Sequence, residues 1–275
     1  MNPPKTRNAK PGLAAAPAPV YAWSPRPSAR TLSLPEQIAE QIGNTIIRGQ
    51  YEPGQRVQEQ EVANAFQVSR GPVREALRIL ERDGLVQINA RRGAQVTKLD
   101  VGEVNDIFEV RLSLLALSAR LATQRRDPHF LLELKAAAER LRTLARAPNA
   151  DSYVNEIYKL NLLMADASGN LFLRNMVFGL AHQTLRYARL GLSTEKRRVQ
   201  SANNWRLVSA AVHANDADAA YEAVAQLVRD SRAMAIKLLL EQTPQKAVRP
   251  PRKVKPRAPK QTARPQTPRP APAPR

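Results

Sequence analysis

The chain has 275 residues, with 43 Lys and Arg against 24 Asp and Glu and a formal net charge of +19. That length accommodates about two compact domains. The absence of cysteine excludes disulfides and thiolate metal sites, and the sequence contains no apolar run of the roughly 18 residues that a membrane-spanning helix needs.

The charge is unevenly placed. Residues 1–30 carry five Lys/Arg, seven prolines and no acid; residues 243–275 carry ten Lys/Arg, ten prolines and no acid. The two segments together hold +15, which leaves about +4 for residues 31–242. Segments of this composition bury too little apolar surface to offset the entropy of ordering, so both are expected to be disordered. No continuous apolar core follows the first basic residues, so 1–30 reads as an arm in front of a cytoplasmic protein rather than a targeting leader.

The first expected helix runs from about Leu34 to Arg48. Ile38, Ile42 and Ile46 are spaced by four and give one buried stripe. Gly49 is a natural stop, and Pro53-Gly54 marks a turn. A second helix covers about Glu59–Phe66. Ser69 offers a hydroxyl as N-cap for a third, whose inward face is Val73, Ala76, Leu77 and Leu80. Arg70 and Arg74 lie four apart on another face, near the start of that helix. After Gly84 the pattern changes: Leu85–Ile88 reads as a strand, Asn89–Gly93 as a turn and Ala94–Thr97 as a return strand. The hairpin carries Arg91, Arg92 and Gly93 at its tip.

Two short helices joined by a tight turn, followed by a basic hairpin, form a winged helix-turn-helix, which lays its second motif helix in the DNA major groove. The run PGQRVQEQEVANAFQVSRGPVREALRILERDGLV closely resembles the DNA-binding domain of the GntR family of bacterial transcription regulators. That resemblance implies DNA contacts at Ser69, Arg70, Gly71, Pro72, Arg74, Arg91, Arg92 and Gly93. The chemistry agrees with it. Arginine can donate two hydrogen bonds to a guanine edge, a helix N-terminus holds phosphate, and arginine suits a narrow minor groove. Gln60 stands where some relatives place a contacting arginine. Residues 31–97 hold eight basic and eight acidic residues, so affinity must come from charge placement rather than net charge.

Residues 98–242 contain few strand signals. Helices are expected at about 101–125, 128–147, 150–168, 170–192, 195–214 and 216–241, with breaks at Pro128, Pro148, Gly169-Asn170 and Asn215-Asp216. Six helices in this length make an antiparallel bundle, so the fold class is mostly α with a small β-hairpin wing. The domains are expected at 31–97 (winged helix) and 98–242 (bundle), flanked by tails 1–30 and 243–275. The phrases VNDIFEVRLSLLALSARLA, ADASGN and VSAAVHANDADAAYEAV resemble the ligand-binding domain of the FadR subfamily of GntR regulators. Arg111 falls in the middle of an apolar stripe of Val104, Ile107, Leu114, Leu115 and Ala122. An inward guanidinium needs a partner, either a protein carboxylate or a ligand anion, and in the subfamily the matching arginine often faces the effector cavity. Asn161 shares an apolar face with Leu160 and Met164. His182, Arg186 and Arg189 recur at helical spacing and either line a cavity or form a solvated stripe. Arg111, Asn161, His182 and Arg186 are therefore the candidate effector contacts.

One branch of the subfamily binds a divalent metal through an Asp and three His. The matching positions here are Ile157, Asn161, Trp205 and Leu227, of which only Asn161 offers even a weak oxygen donor. His129, His182 and His213 fall elsewhere, so neither metal nor cofactor is expected. Trp205 and Leu227 would fill the space a metal leaves, giving an apolar or collapsed pocket. No Gly-rich phosphate loop, cysteine nucleophile or carboxylate–histidine set supports an enzyme. Two functions remain open. One is a homodimeric repressor that answers to a small effector such as an organic acid and binds a near-palindromic operator. The other is an architectural, nucleoid-associated DNA binder in which the basic tails dominate. The run KAVRPPRKVKPRAPKQTARPQTPR at 246–269 stays extended through its prolines and would add sequence-independent phosphate contact.

Overall fold

The computed structural model describes residues 31–90 and 93–242. The two proline-rich segments, with the disorder expected of them, and Arg91 and Arg92 lie outside the described residues.

The first half of the winged helix is built on α1 (Leu34–Ile47), where Glu36 accepts from the Ser33 backbone N–H at 2.8 Å and so ties down the entry of the chain. Ile38, Ile42 and Ile46 are buried as the spacing requires, and α1 packs on α3 (Arg70–Arg82) through Val73, Leu77 and Leu80. Each such side chain, taken fully out of water, contributes about 1.5–3 kcal/mol before entropy is counted. Between them lies α2 (Glu59–Phe66), which ends on Gln67 in the left-handed region at φ 55°. Gln67, Val68 and Ser69 then make the three-residue turn into α3.

The wing contains one more strand than the sequence suggests. β1 (Arg56–Val57) pairs antiparallel with β3 (Gly93–Val96), which also pairs with β2 (Val86–Asn89), giving the order β1-β3-β2. The register sets Val86 opposite Val96 and Asn89 opposite Gly93. Gly93 sits at φ +74°, a conformation that a side chain would strain. At the outer edge, Glu81 accepts from the Ile88 N–H at 2.9 Å, occupying a donor that the sheet leaves free.

Six helices follow: α4 (Val101–Arg125), α5 (Pro128–Leu144), α6 (Asp151–Ala167), α7 (Leu171–Gly191), α8 (Glu195–His213) and α9 (Ala217–Gln242). Side-chain caps start most of them. Asp100, Asp127, Asn170 and Thr194 accept from backbone N–H groups in the first turns of α4, α5, α7 and α8, satisfying donors that a helix end leaves open. α4 packs most extensively on α9 and also meets α6 and α7. α5 stops at Leu144, three residues before the sequence-based estimate. There Arg198, 3 % exposed, donates to the carbonyls of Ala145, Ala147, Leu192 and Ser193. One buried guanidinium thus closes the C-terminal ends of α5 and α7, where helix carbonyls are unsatisfied and the dipole is negative.

The winged helix is held against the bundle by polar contacts. Arg189 of α7 donates to Asp151 at 2.8 Å and to the Arg48 carbonyl at the end of α1 at 3.2 Å. The Leu99 N–H donates to the Tyr187 hydroxyl at 3.3 Å. Gly84, at φ +72°, lies so near Gln183 that an added Cβ would stand 2.6 Å from its Cγ. The positive φ favours glycine there, and a side chain would also have to displace the flexible Gln183.

Candidate nucleic-acid interface and effector cavity

The start of α3 is an exposed, acid-free helix terminus. Ser69 occupies the N-cap with extended backbone, but its hydroxyl makes no capping bond. The sequence suggests a side-chain cap; the structure places Ser69 at the N-cap position without that bond. Arg70, Gly71 and Arg74 are exposed. Pro72 stands in the first turn, where its missing N–H costs nothing. Gly71 has no positive φ, and an added Cβ would meet nothing closer than the Ser69 Oγ at 3.9 Å. The protein's own packing therefore does not demand glycine at that position.

Both arginines are held by α2. Arg70 donates to Gln60 Oε1 at 2.8 Å, and Gln60 donates in turn to Asn64. Arg74 pairs with Glu59 at 2.9 Å, with 60 % of the Arg74 side chain still exposed. Gln60 therefore acts on Arg70 as an orienting acceptor. Arg78 pairs with Glu75 and Arg82 with Asp83.

Arg56 is a basic residue that sequence reasoning missed. It is exposed on β1, and its guanidinium passes within 3.5 Å of the position a Gly93 Cβ would take. The two-residue strand has no readable period; the Pro53-Gly54 turn just before it is the only sequence signal for it. Pairing of β1 with β3 sets Arg56 opposite Gln95 and brings its guanidinium beside Gly93, the first residue of β3.

In the bundle, Arg111 and Asn161 face one internal cavity, together with Tyr158 and the apolar Leu114, Val177 and Leu185. Its free volume is about 20 Å³, room for roughly one water. Arg111 donates to the Thr184 hydroxyl, and its guanidinium stands 6.0 Å from the Phe108 ring centre. Burial holds its pKa down to about 10. Among the described residues no carboxylate pairs with it.

His182 does not line this cavity. It is 1 % exposed, its Nε2 lies 3.3 Å from the Tyr158 hydroxyl, and the Phe178 ring meets it edge-on at 5.0 Å. Burial pushes its pKa down to about 4, so the ring is neutral at ordinary pH. Arg186 faces a different space, a cleft of about 230 Å³ between the winged helix and the bundle. The four candidate effector contacts are thus divided: Arg111 and Asn161 share the bundle cavity, His182 is packed core, and Arg186 belongs to the cleft.

The positions of the family's metal set do not suit a metal. Ile157 and Asn161 line the bundle cavity, Trp205 and Leu227 are buried apolar groups, and only Asn161 carries a donor. His129 and His213 are exposed on α5 and α8. Among the described residues no three His, Cys, Asp or Glu come together.

Comparisons with known proteins agree with this architecture. Residues 34–96 match the model of the bacterial regulatory proteins of the gntR family, and residues 106–230 match the FCD domain. The uncharacterized HTH-type transcriptional regulator YdhC of Bacillus subtilis is 33 % identical over 145 residues, 51 % of this chain and 63 % of YdhC. The HTH-type transcriptional repressor RspR of Escherichia coli is 35 % identical over 92 residues, 34 % of this chain and 40 % of RspR. The matches thus cover less than two thirds of these relatives. Among solved structures, E. coli McbR/YncC superposes with a TM-score of 0.65 at 21 % identity, covering 77 % of this chain and 99 % of that one. A GntR regulator from Rhodococcus sp. RHA1 gives 0.59 at 18 % identity, covering 78 % and 100 %. At such identities the likeness is one of fold. The chain belongs to the GntR family of bacterial regulatory proteins, in the FadR-like group that carries an FCD domain behind the winged helix.

Proposed function

We propose that the protein is a sequence-specific, homodimeric transcription regulator, a repressor responsive to a small metabolite. The winged helix at 31–97 binds DNA, and the bundle at 98–242 carries sensing and dimerisation. The observation that carries this reading is the N-terminal end of α3: Ser69 with its hydroxyl making no capping bond, an open Gly71, no acid in the first turn, and Arg70 and Arg74 exposed. Backbone N–H groups and Ser69 take a phosphate, Pro72 fixes the turn, and Arg70 and Arg74 reach base edges. Arg91, Arg92 and Gly93, joined by Arg56, serve the adjacent groove. Leu171, Phe172 and Met176 at the start of α7 are 64 %, 80 % and 58 % exposed. Such a patch supports a contact with a second copy, and a two-fold dimer fits a near-palindromic operator with half-sites about one helical turn apart. RspR is named a repressor. Arg111, lacking a carboxylate partner, supports an organic acid as effector in the bundle.

The test is selection of bound fragments from random and genomic DNA, with the full chain and with a form lacking 243–275. A short palindrome recovered by both forms is the expected result. The small volume of the bundle cavity favours one rival, an architectural, nucleoid-associated protein that has lost sensing. That rival predicts no shared motif and binding that vanishes with the tail. Among the described residues no helix is long and apolar enough to cross a membrane.

A further inference from the structure

The cleft between the winged helix and the bundle is more than ten times roomier than the bundle cavity, at about 230 Å³ against about 20 Å³. Two residues of its lining, one from each side, carry an atom that the fold leaves unsatisfied. Arg186 Nη1 and Thr97 Oγ1 are both buried and have no hydrogen-bond partner. Such atoms are costly in a folded protein. Burial also lowers the Arg186 pKa, against the opposing effects of Tyr187 and Glu52. Nearby charge therefore does not fully compensate the guanidinium.

The cleft has charge of both signs, one on each side. Arg186 comes from α7 of the bundle, and Glu81 comes from α3 of the winged helix. No ion pair joins the two. Glu81 spends one oxygen on the Ile88 N–H. Gln87 of β2 and Gln183 of α7 add an amide to each side, and Ile46, Leu85 and Leu99 supply apolar surface. A simple anion would answer Arg186 and be repelled by Glu81. A simple amine would do the reverse. A molecule with both charges answers both walls.

We infer that this cleft is a binding site for a small zwitterion of the α-amino-acid class with an apolar side chain. Its carboxylate pairs with the Arg186 guanidinium and lies on the side of the Thr97 hydroxyl. Its ammonium faces Glu81, and its side chain lies on Ile46, Leu85 and Leu99. Because the walls come from both parts of the molecule, an occupant stabilises this arrangement of winged helix and bundle over others. The site is distinct from the bundle cavity around Arg111.

The experiment is titration of the full chain with L-leucine, followed by calorimetry and by ligand-observed NMR. 4-Methylpentanoate, which lacks the amine, and leucinamide, which lacks the carboxylate, serve as matched probes. Leucine is expected to bind, and each matched probe to bind about 10- to 100-fold more weakly, since each leaves one charged wall unanswered. Arg186→Gln and Glu81→Gln should each weaken leucine by a similar factor, whereas Arg142→Gln, on the exposed face of α5, should leave it unchanged. Glu81→Gln keeps the acceptor for Ile88, and Arg186→Lys keeps the charge if Arg186→Gln fails to fold. Lack of leucine binding at millimolar concentration overturns the proposal. So does leucine binding that is indifferent to Arg186 and Glu81, or equal binding of 4-methylpentanoate. The titration needs no DNA, so its failure leaves the DNA-binding reading standing, and failure of the DNA selection leaves this site standing.

Discussion

Arginine plays opposite parts in the two regions of this molecule. On the winged helix, Arg70 and Arg74 stand in water and are held loosely by Gln60 and Glu59. In the bundle, Arg198 is buried and fully committed to four carbonyls. An exposed ion pair contributes little to stability, so the first pair is free to exchange a protein partner for DNA. A buried guanidinium cannot be released without stranding its acceptors. Changes in the bundle should therefore register as stability, and changes on the α3 face as DNA affinity.

The strongest attack on that distinction is Arg198→Ala. It leaves four helix-end carbonyls without their donor and should cost roughly 4 kcal/mol of stability in urea unfolding, with wing and recognition residues untouched. A loss below about 1 kcal/mol would mean that water replaces the guanidinium easily.

Acid gives the next largest effect. Burial holds His182 at about 4, below the ordinary 6.5. The unfolded chain takes up a proton as pH falls through 6.5, while the folded chain resists until about 4. Stability from this group is whole above that window and drains away within it, by about 3 kcal/mol. His182→Gln should flatten the fall relative to the parent between those limits, as read from urea midpoints. Parallel curves for parent and variant would show that the buried ring takes up its proton as readily as a free one.

Arg74→Ala sharpens the other side. Operator affinity should fall by about 1–3 kcal/mol in fluorescence anisotropy, with an unchanged urea midpoint. An unchanged affinity would remove Arg74 from the interface. Glu59→Gln is the smallest change. It frees Arg74 from its carboxylate and should tighten operator binding by up to about fivefold, the weight of an exposed pair.

The long elements were legible because their signals are local. The four-residue isoleucine spacing of α1, the inward face of α3 and the residues flanking the bundle helices can all be read along the chain. Helix ends were less so. The stop of α5 at Leu144 is set with Arg198, which is 53 residues beyond Ala145. β1 escaped because two residues carry no period, and Arg56 escaped with it. The division of the candidate effector residues was illegible for a similar reason. His182 and Arg186 are four apart on one helix, yet one is enclosed by Tyr158 and Phe178 while the other meets the winged helix.

By itself the sequence determined the family, the winged helix, the six-helix bundle and the arginines at the start of α3, because periodicity, turn residues and motif spacing are properties of neighbours along the chain. Only the tertiary structure decided that the Ser69 hydroxyl makes no capping bond, that Arg198 is buried while Arg74 is not, that the bundle cavity is nearly filled, and that Arg186 and Glu81 face a common cleft. Burial and pairing of a charge depend on segments far apart in sequence, and no local pattern encodes which of them meet.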